Sequence, residues 1–195
     1  MNVYAPIGAM RVMGASTSAA GALQMPRTII TIFLPTMAGV WVGKKASNAW
    51  KAMVIGTLFV AVPMAVMGFT TPSTSIIIYF VALTITGIAE SYRSVSITPS
   101  AQATLQPADM GVGTSLVNFV NSLANTIAAA VFGAAYNLST AADPTNVAYI
   151  QNGVDSVFRL AAIVAVIGLV LVIFVVRPKI CLLYTSPSPR DYAAS

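Results

Sequence analysis

The sequence contains no histidine, a single cysteine and very little charge. Without histidine, imidazole catalysis and histidine-based metal sites are excluded, and one cysteine allows neither an intrachain disulfide nor a zinc cluster. Only 8% of the residues are charged and 57% are hydrophobic, whereas a soluble domain carries roughly 25% charged residues. These deficits indicate an integral membrane protein.

Motifs for nucleotide or metal chemistry are also lacking. The chain contains no phosphate-binding loop, no dinucleotide-binding fingerprint and no metal-ligand cluster, so we expect neither an enzyme nor a cofactor. The net charge of +5 is too small to predict a nucleic acid as partner.

Long apolar stretches predict an all-α, multi-pass bundle of transmembrane helices. A spanning helix needs roughly 20 mainly apolar residues. Five stretches qualify, at 21–42, 52–70, 76–105, 112–138 and 154–176. Residues 1–19, rich in Gly, Ala and Ser, are interpreted as the remnant of a truncated loop or helix. The odd number of spans leads us to expect that the gene fragment is cut at its 5′ end.

Basic residues occur in alternate joints between the predicted spans. The joints at 71–75 and 139–153 hold no Lys or Arg. The joint after the first span and the end of the fifth hold Lys44, Lys45, Lys51, Arg177 and Lys179. Because basic loops stay in the cytoplasm, this alternation predicts a multi-pass protein of the inner (plasma) membrane, with the lipid bilayer as partner and a cytoplasmic C-terminus.

Two ionisable residues, Glu90 and Arg93, lie three positions apart near the middle of the third span. An unpaired charge in hydrocarbon costs at least ~2.5–3.5 kcal/mol, so such residues often mark a transport pathway. One interpretation is that Glu90 binds a proton or a cationic substrate, with Arg93 modulating its proton affinity. The alternative is an internal ion pair that fixes the register of the helix.

Other polar residues within the spans are candidates for the same pathway. Arg27 either faces a cavity or snorkels to the outer interface, and we favour the interface. Asn118, Asn121 and Asn125 form one amide stripe at i, i+3 and i+7 of the fourth span. Interhelical hydrogen bonds are favoured for this stripe over direct contact with a substrate.

Three segments resemble parts of a known transporter family. "AGVWVGKKASNAWKAMVIGTL" is similar to the basic cytoplasmic loop between paired helices in the C-terminal half of major facilitator superfamily transporters. "LQPADMGVGTSLVNFVNSLANTIAAAVFGAAYN" resembles a segment of the fourteen-helix drug:proton antiporters of that superfamily. "VDSVFRLAAIVAVIGLVLVIFVVRPK" resembles their last helix, which ends in the cytoplasm.

This resemblance implies a fragment of a proton-coupled secondary transporter that exports small amphipathic or cationic compounds. The five spans would be the last five, and the third would line the central cavity around which the two halves rock. The implied partners are a small-molecule substrate, the proton and the missing N-terminal helices of the same protein. The alternative left open is a short structural or assembly membrane protein without transport activity.

The end of the chain differs from the rest. "CLLYTSPSPRD" at Cys181–Asp191 resembles one reading frame of the transposase adapter used in sequencing libraries. Residues 181–195 are therefore interpreted as a non-native tail that is excluded from the fold. This interpretation leads us to expect that the gene fragment is also cut at its 3′ end.

Overall fold

A computed structural model describes residues 3–45, 47–71, 73–102 and 105–178. The described residues form helices and turns, without a strand among them. The seven α-helices are α1 Tyr4–Arg11, α2 Thr17–Ala22, α3 Met25–Gly43, α4 Ser47–Met67, α5 Ile76–Gln102, α6 Met110–Thr140 and α7 Val147–Leu171, which continues into a π-helical turn at Val172–Val176. The predicted tail at 181–195 and Lys179 lie outside the described residues.

Five helical segments are long and apolar enough to cross a membrane. They are Thr17–Gly43, Ser47–Met67, Ile76–Gln102, Met110–Thr140 and Val147–Val176. The predicted all-helical fold with five candidate spans is therefore confirmed, and these helices indicate a membrane protein. The first candidate span combines α2 and α3, so part of the segment 1–19 is helical.

Helix α7 begins well before residue 154, where the fifth span was predicted to start. Asn146 caps it, because its side-chain Oδ1 accepts a hydrogen bond from the backbone N–H of Ala148 at 2.9 Å. In the preceding turn, Asp143 Oδ1 accepts hydrogen bonds from the hydroxyl of Thr145 at 2.7 Å and from its N–H at 3.0 Å. These two bonds lower the pKa of the Asp143 carboxyl.

The contacts at the two ends of the bundle fix the direction of its helices. Arg177, just after α7, lies 4.8 Å from the ring centre of Trp50 near the start of α4. Thr70, just after α4, is hydrogen-bonded to Gln151 near the start of α7. Helices α4 and α7 are thus antiparallel. We call the end that carries Lys44, Lys45, Lys51 and Arg177 the basic end, and the other the opposite end.

Helix α5 lies at the centre and packs against α3, α4 and α6. Two glycines allow its closest contacts. A Cβ on Gly87 would lie 3.0 Å from both Cα and the carbonyl oxygen of Arg27 on α3. A Cβ on Gly56 of α4 would lie 3.0 Å from the carbonyl oxygen of Ala89 and 2.7 Å from Cγ of Arg93. Without a hydrophobic driving force between helices in lipid, such close backbone packing is a main source of association.

We predict that Gly87→Ala destabilises the bundle. The added methyl meets the backbone of α3, which can yield only if the helix moves, and overpacking of this kind costs about 1–3 kcal/mol. The measurement is the thermal unfolding midpoint of the detergent-solubilised protein. Gly111→Ala is the matched control, because a Cβ there meets nothing within 4 Å. A midpoint as high for Gly87→Ala as for the control would contradict the proposed packing.

Candidate functional site

Three charged residues selected from the sequence line one cavity inside the bundle. Arg27 of α3 and Glu90 and Arg93 of α5 border a space of about 230 Å³. The rest of its lining is mainly apolar and comes from α4, α5 and α7: Val60, Met64, Leu83, Thr86 and Phe158. Arg27 thus lies on a cavity in the structure, and not at the outer interface that we favoured from the sequence.

The carboxylate and guanidinium on α5 form a loose ion pair. Arg93 Nη1 lies 3.7 Å from Glu90 Oε2, and the two side chains are 42% and 49% exposed, respectively. Both residues belong to the same helix, so the pair ties no second helix to α5. An i,i+3 pair of this kind stabilises a helix by only about 0.2–0.5 kcal/mol. Both charged groups therefore remain accessible from the cavity.

A second cavity continues from the same two side chains toward α6. It measures about 350 Å³ and is lined by Glu90, Arg93, Ser94, Ile97, Thr98, Asn121 and Asn125. Two of the three predicted stripe asparagines therefore share a cavity with the α5 ion pair. Asn118 is exposed and does not contribute to this lining.

The interhelical hydrogen bonds favoured for the asparagine stripe are not formed within the part of the chain that the structure describes. Asn118, Asn121 and Asn125 are all exposed there. The physical reason is the spacing of the helices, since a cavity separates the middle of α6 from α5. The two amides on that cavity are thus free to contact a bound molecule.

Arg93 also borders a third, mostly apolar cavity of about 420 Å³ between α4, α5, α6 and α7. Its lining includes Thr57, Ile97, Phe132 and Ala161. Because Arg93 lines all three cavities, its guanidinium lies where apolar and polar surfaces meet. An arrangement of this type suits a molecule with one polar end and one apolar end.

A buried polar network at the opposite end was not predicted. Gln151 Nε2 lies within 2.8 Å of Thr70 Oγ1, 3.0 Å of the Thr70 carbonyl oxygen and 2.9 Å of Asp155 Oδ1. The Thr70 hydroxyl donates to Asp155 Oδ1 at 2.9 Å and lies 3.2 Å from the Tyr79 hydroxyl. These contacts join the segment just after α4 to α5 and α7, and all four residues are buried.

The network leaves one polar atom without a partner. Gln151 Oε1 is buried and has no hydrogen-bond partner among the described residues. Arg159, one turn beyond Asp155, donates from Nε to the backbone carbonyl of Asp155 at 3.3 Å, and its guanidinium lies 5.8 Å from the ring centre of Phe69. The i,i+4 spacing of Gln151, Asp155 and Arg159 in the sequence indicates one polar helix face, but it does not identify the partner Thr70.

The predicted cytoplasmic lysines lie at the basic end. Lys44 follows the last residue of α3, and Lys51 lies in the first turns of α4 with its Nζ 6.0 Å from the ring centre of Trp50. Lys44, Lys45 and Lys51 are all exposed. They lie at one end of the helices and take no part in the cavities.

These sites offer charged and amide side chains beside apolar surface. Within the described ranges, no group of three or more Cys, Asp or Glu could hold a metal ion. Taken together, five candidate spans and a charged cavity between them define a membrane protein with a candidate binding site. Comparison with protein-family models, with curated proteins and with solved structures finds no match to this chain.

We predict that Thr70→Val destabilises the protein by about 1–3 kcal/mol, because it removes the buried hydrogen bonds that the Thr70 hydroxyl makes with Tyr79, Gln151 and Asp155. The free energy of unfolding in detergent micelles measures this loss. Thr126→Val is the control, since the Thr126 hydroxyl is exposed and bonds only to Ser122 of its own helix. Equal stability of the two variants would show that the network contributes nothing.

Proposed function

We propose that this chain is part of a proton-coupled secondary transporter of the major facilitator superfamily, which exports small amphipathic compounds. The observation that carries the proposal is the cavity that Arg27, Glu90 and Arg93 line together. Charged residues at membrane depth usually face a partner or a wet cavity and often mark a transport pathway. The resemblance of the sequence to the drug:proton antiporters supports the same conclusion.

In the proposed mechanism, Glu90 exchanges a proton for the substrate. When ionised, the carboxylate accepts hydrogen bonds from Arg93 or from a donor group of the substrate. A proton on Glu90 removes the charge that holds this donor, so the proton and the substrate compete for one site. Competition of this kind couples the downhill movement of protons to the rocking of two transporter halves around a midplane site.

The charge of the cavity narrows the class of substrate. Arg27 and Arg93 outnumber the single carboxylate of Glu90 around this space, so a simple cation would meet a net positive surface. An amphipathic molecule can place a polar group between the charged side chains and its apolar part against Val60 and Phe158. Of the two substrate types that the resemblance implies, the amphipathic one is favoured.

The orientation is part of the proposal. Because basic loops remain in the cytoplasm, we place the basic end in the cytoplasm and the opposite end outside. We further propose that additional helices of the same protein cover the cavities lined by α5. The charged side chains of the cavity would then lie between the two halves.

The test is a Glu90→Gln variant of the full-length protein, assayed for proton-driven efflux in membrane vesicles. Glutamine keeps the size of the side chain but cannot exchange a proton, so we expect the proton-dependent component of transport to be abolished. Asp109→Asn is the matched control, because this exposed carboxylate precedes α6 outside the cavities. It should leave efflux unchanged.

Unchanged proton-coupled efflux by Glu90→Gln, at a normal amount of protein in the membrane, would refute the proposed role of Glu90. No efflux by the unmodified full-length protein, across a panel of amphipathic compounds, would instead favour a structural or assembly protein.

A further inference from the structure

We propose that the basic end holds a binding site for the phosphate headgroup of an anionic phospholipid. The inference requires only that the helices lie in a membrane, and it is independent of transport. Three separate elements bring cations to this end: the end of α3, the start of α4 and the segment after α7. They contribute Lys44, Lys45, Lys51 and Arg177.

Trp50 is the centre of this site. The Arg177 guanidinium lies 4.8 Å from the centre of the Trp50 ring, and Lys51 Nζ lies 6.0 Å from it. Both distances are within the range of cation–π attraction, so the indole draws cations from two helices to one place. Tryptophan itself prefers the interface between hydrocarbon and headgroups, which is the depth of a lipid phosphate.

Among the described residues, the cations of the basic end have no acidic partner. Among the described residues, no carboxylate lies within ion-pair distance of Lys44, Lys45, Lys51 or Arg177, and the single ion pair recorded there joins Glu90 to Arg93. The four cations are also exposed. Positive charges at one end of the bundle repel one another, so a bound anion would stabilise this end.

The surface beside the cations suits a lipid better than a free phosphate ion. The side chains of Phe174 and Val175, less than one turn before Arg177, are 73% and 46% exposed. A phospholipid bound through its phosphate could lay its acyl chains along these apolar groups. A basic cluster next to a membrane helix typically recognises anionic headgroups, with about 1 kcal/mol of attraction for each Lys or Arg.

The experiment uses Trp50 as a reporter in liposomes. The chain has two tryptophans, so Trp41→Phe leaves Trp50 as the sole indole. The full chain is reconstituted in phosphatidylcholine with a small fraction of brominated phosphatidylglycerol or brominated phosphatidylcholine, each of which quenches tryptophan fluorescence on contact. We expect stronger quenching by brominated phosphatidylglycerol than by brominated phosphatidylcholine. The double variant Lys51→Gln/Arg177→Gln should lower this preference for phosphatidylglycerol by about 5-fold per cation removed.

The matched control is Arg159→Gln. Arg159 also lies over an aromatic ring, that of Phe69 at 5.8 Å, but at the opposite end, so its loss should leave the preference at Trp50 unchanged. If the Arg177 variant fails to fold, Lys44→Gln with Lys45→Gln tests the same site without altering the indole contacts. This pair too should lower the preference by about 5-fold per cation.

Equal quenching by the two brominated lipids in the Trp41→Phe protein would overturn the proposal. It would also be overturned if Arg159→Gln lost as much of the preference as the Lys51→Gln/Arg177→Gln variant. Excess inorganic phosphate separates a lipid site from a phosphate site. We expect it to leave the preference intact beyond the effect of matched ionic strength. Specific displacement by phosphate would show that the site takes the free ion, and the lipid assignment would then be wrong.

Discussion

The close approach of α5 to α3 and α4 is the constraint on which the rest of the bundle depends. At Gly87 the missing Cβ lets the backbone of Arg27 lie directly against α5, and at Gly56 it lets α4 lie against Ala89 and Arg93. Both contacts lie within one turn of Glu90 along α5. Backbone packing therefore fixes the positions of the helix segments that carry the charged side chains. Segments held this closely move less than those of a loosely packed helix. A binding site requires such a fixed frame.

The helices and the charged pair on α5 could be predicted from the sequence, whereas the network at the opposite end could not. Long apolar stretches specify spans directly, and Glu90 with Arg93 stands out because charge is rare in hydrocarbon. Gln151 and Asp155 carry no such signal, since polar residues near the end of an apolar stretch usually meet water. Their burial depends on α7 beginning at Val147 rather than near residue 154, a boundary that the Asn146 cap decides. It also depends on Thr70, far away in the chain, which no local pattern relates to α7.

The two polar regions of the bundle differ in whether their polar groups are already bonded within the protein or remain exposed to a cavity. At the opposite end, Thr70, Gln151 and Asp155 are buried, and most of their polar atoms are hydrogen-bonded to one another. This region therefore connects helices. In the middle, Glu90 and Arg93 share only one long ion pair and stay about half exposed to the cavities. Polar groups that are kept at membrane depth without being used for packing need another reason to be there. The proposed binding of a ligand would be such a reason.

Helix α6 shows how the bundle keeps this middle region open. Toward the opposite end it packs tightly on α7, where a Cβ on Gly153 would lie 2.9 Å from the Tyr136 ring and the hydroxyls of Ser139 and Ser156 lie 3.2 Å apart. Toward the basic end, Gln102 Nε2 donates to Thr114 Oγ1 at 2.7 Å and ties α6 to α5. Between these two attachments the cavities separate α6 from its neighbours. Because its middle is separated from the neighbouring helices, the amides of Asn121 and Asn125 make no interhelical hydrogen bond among the described residues.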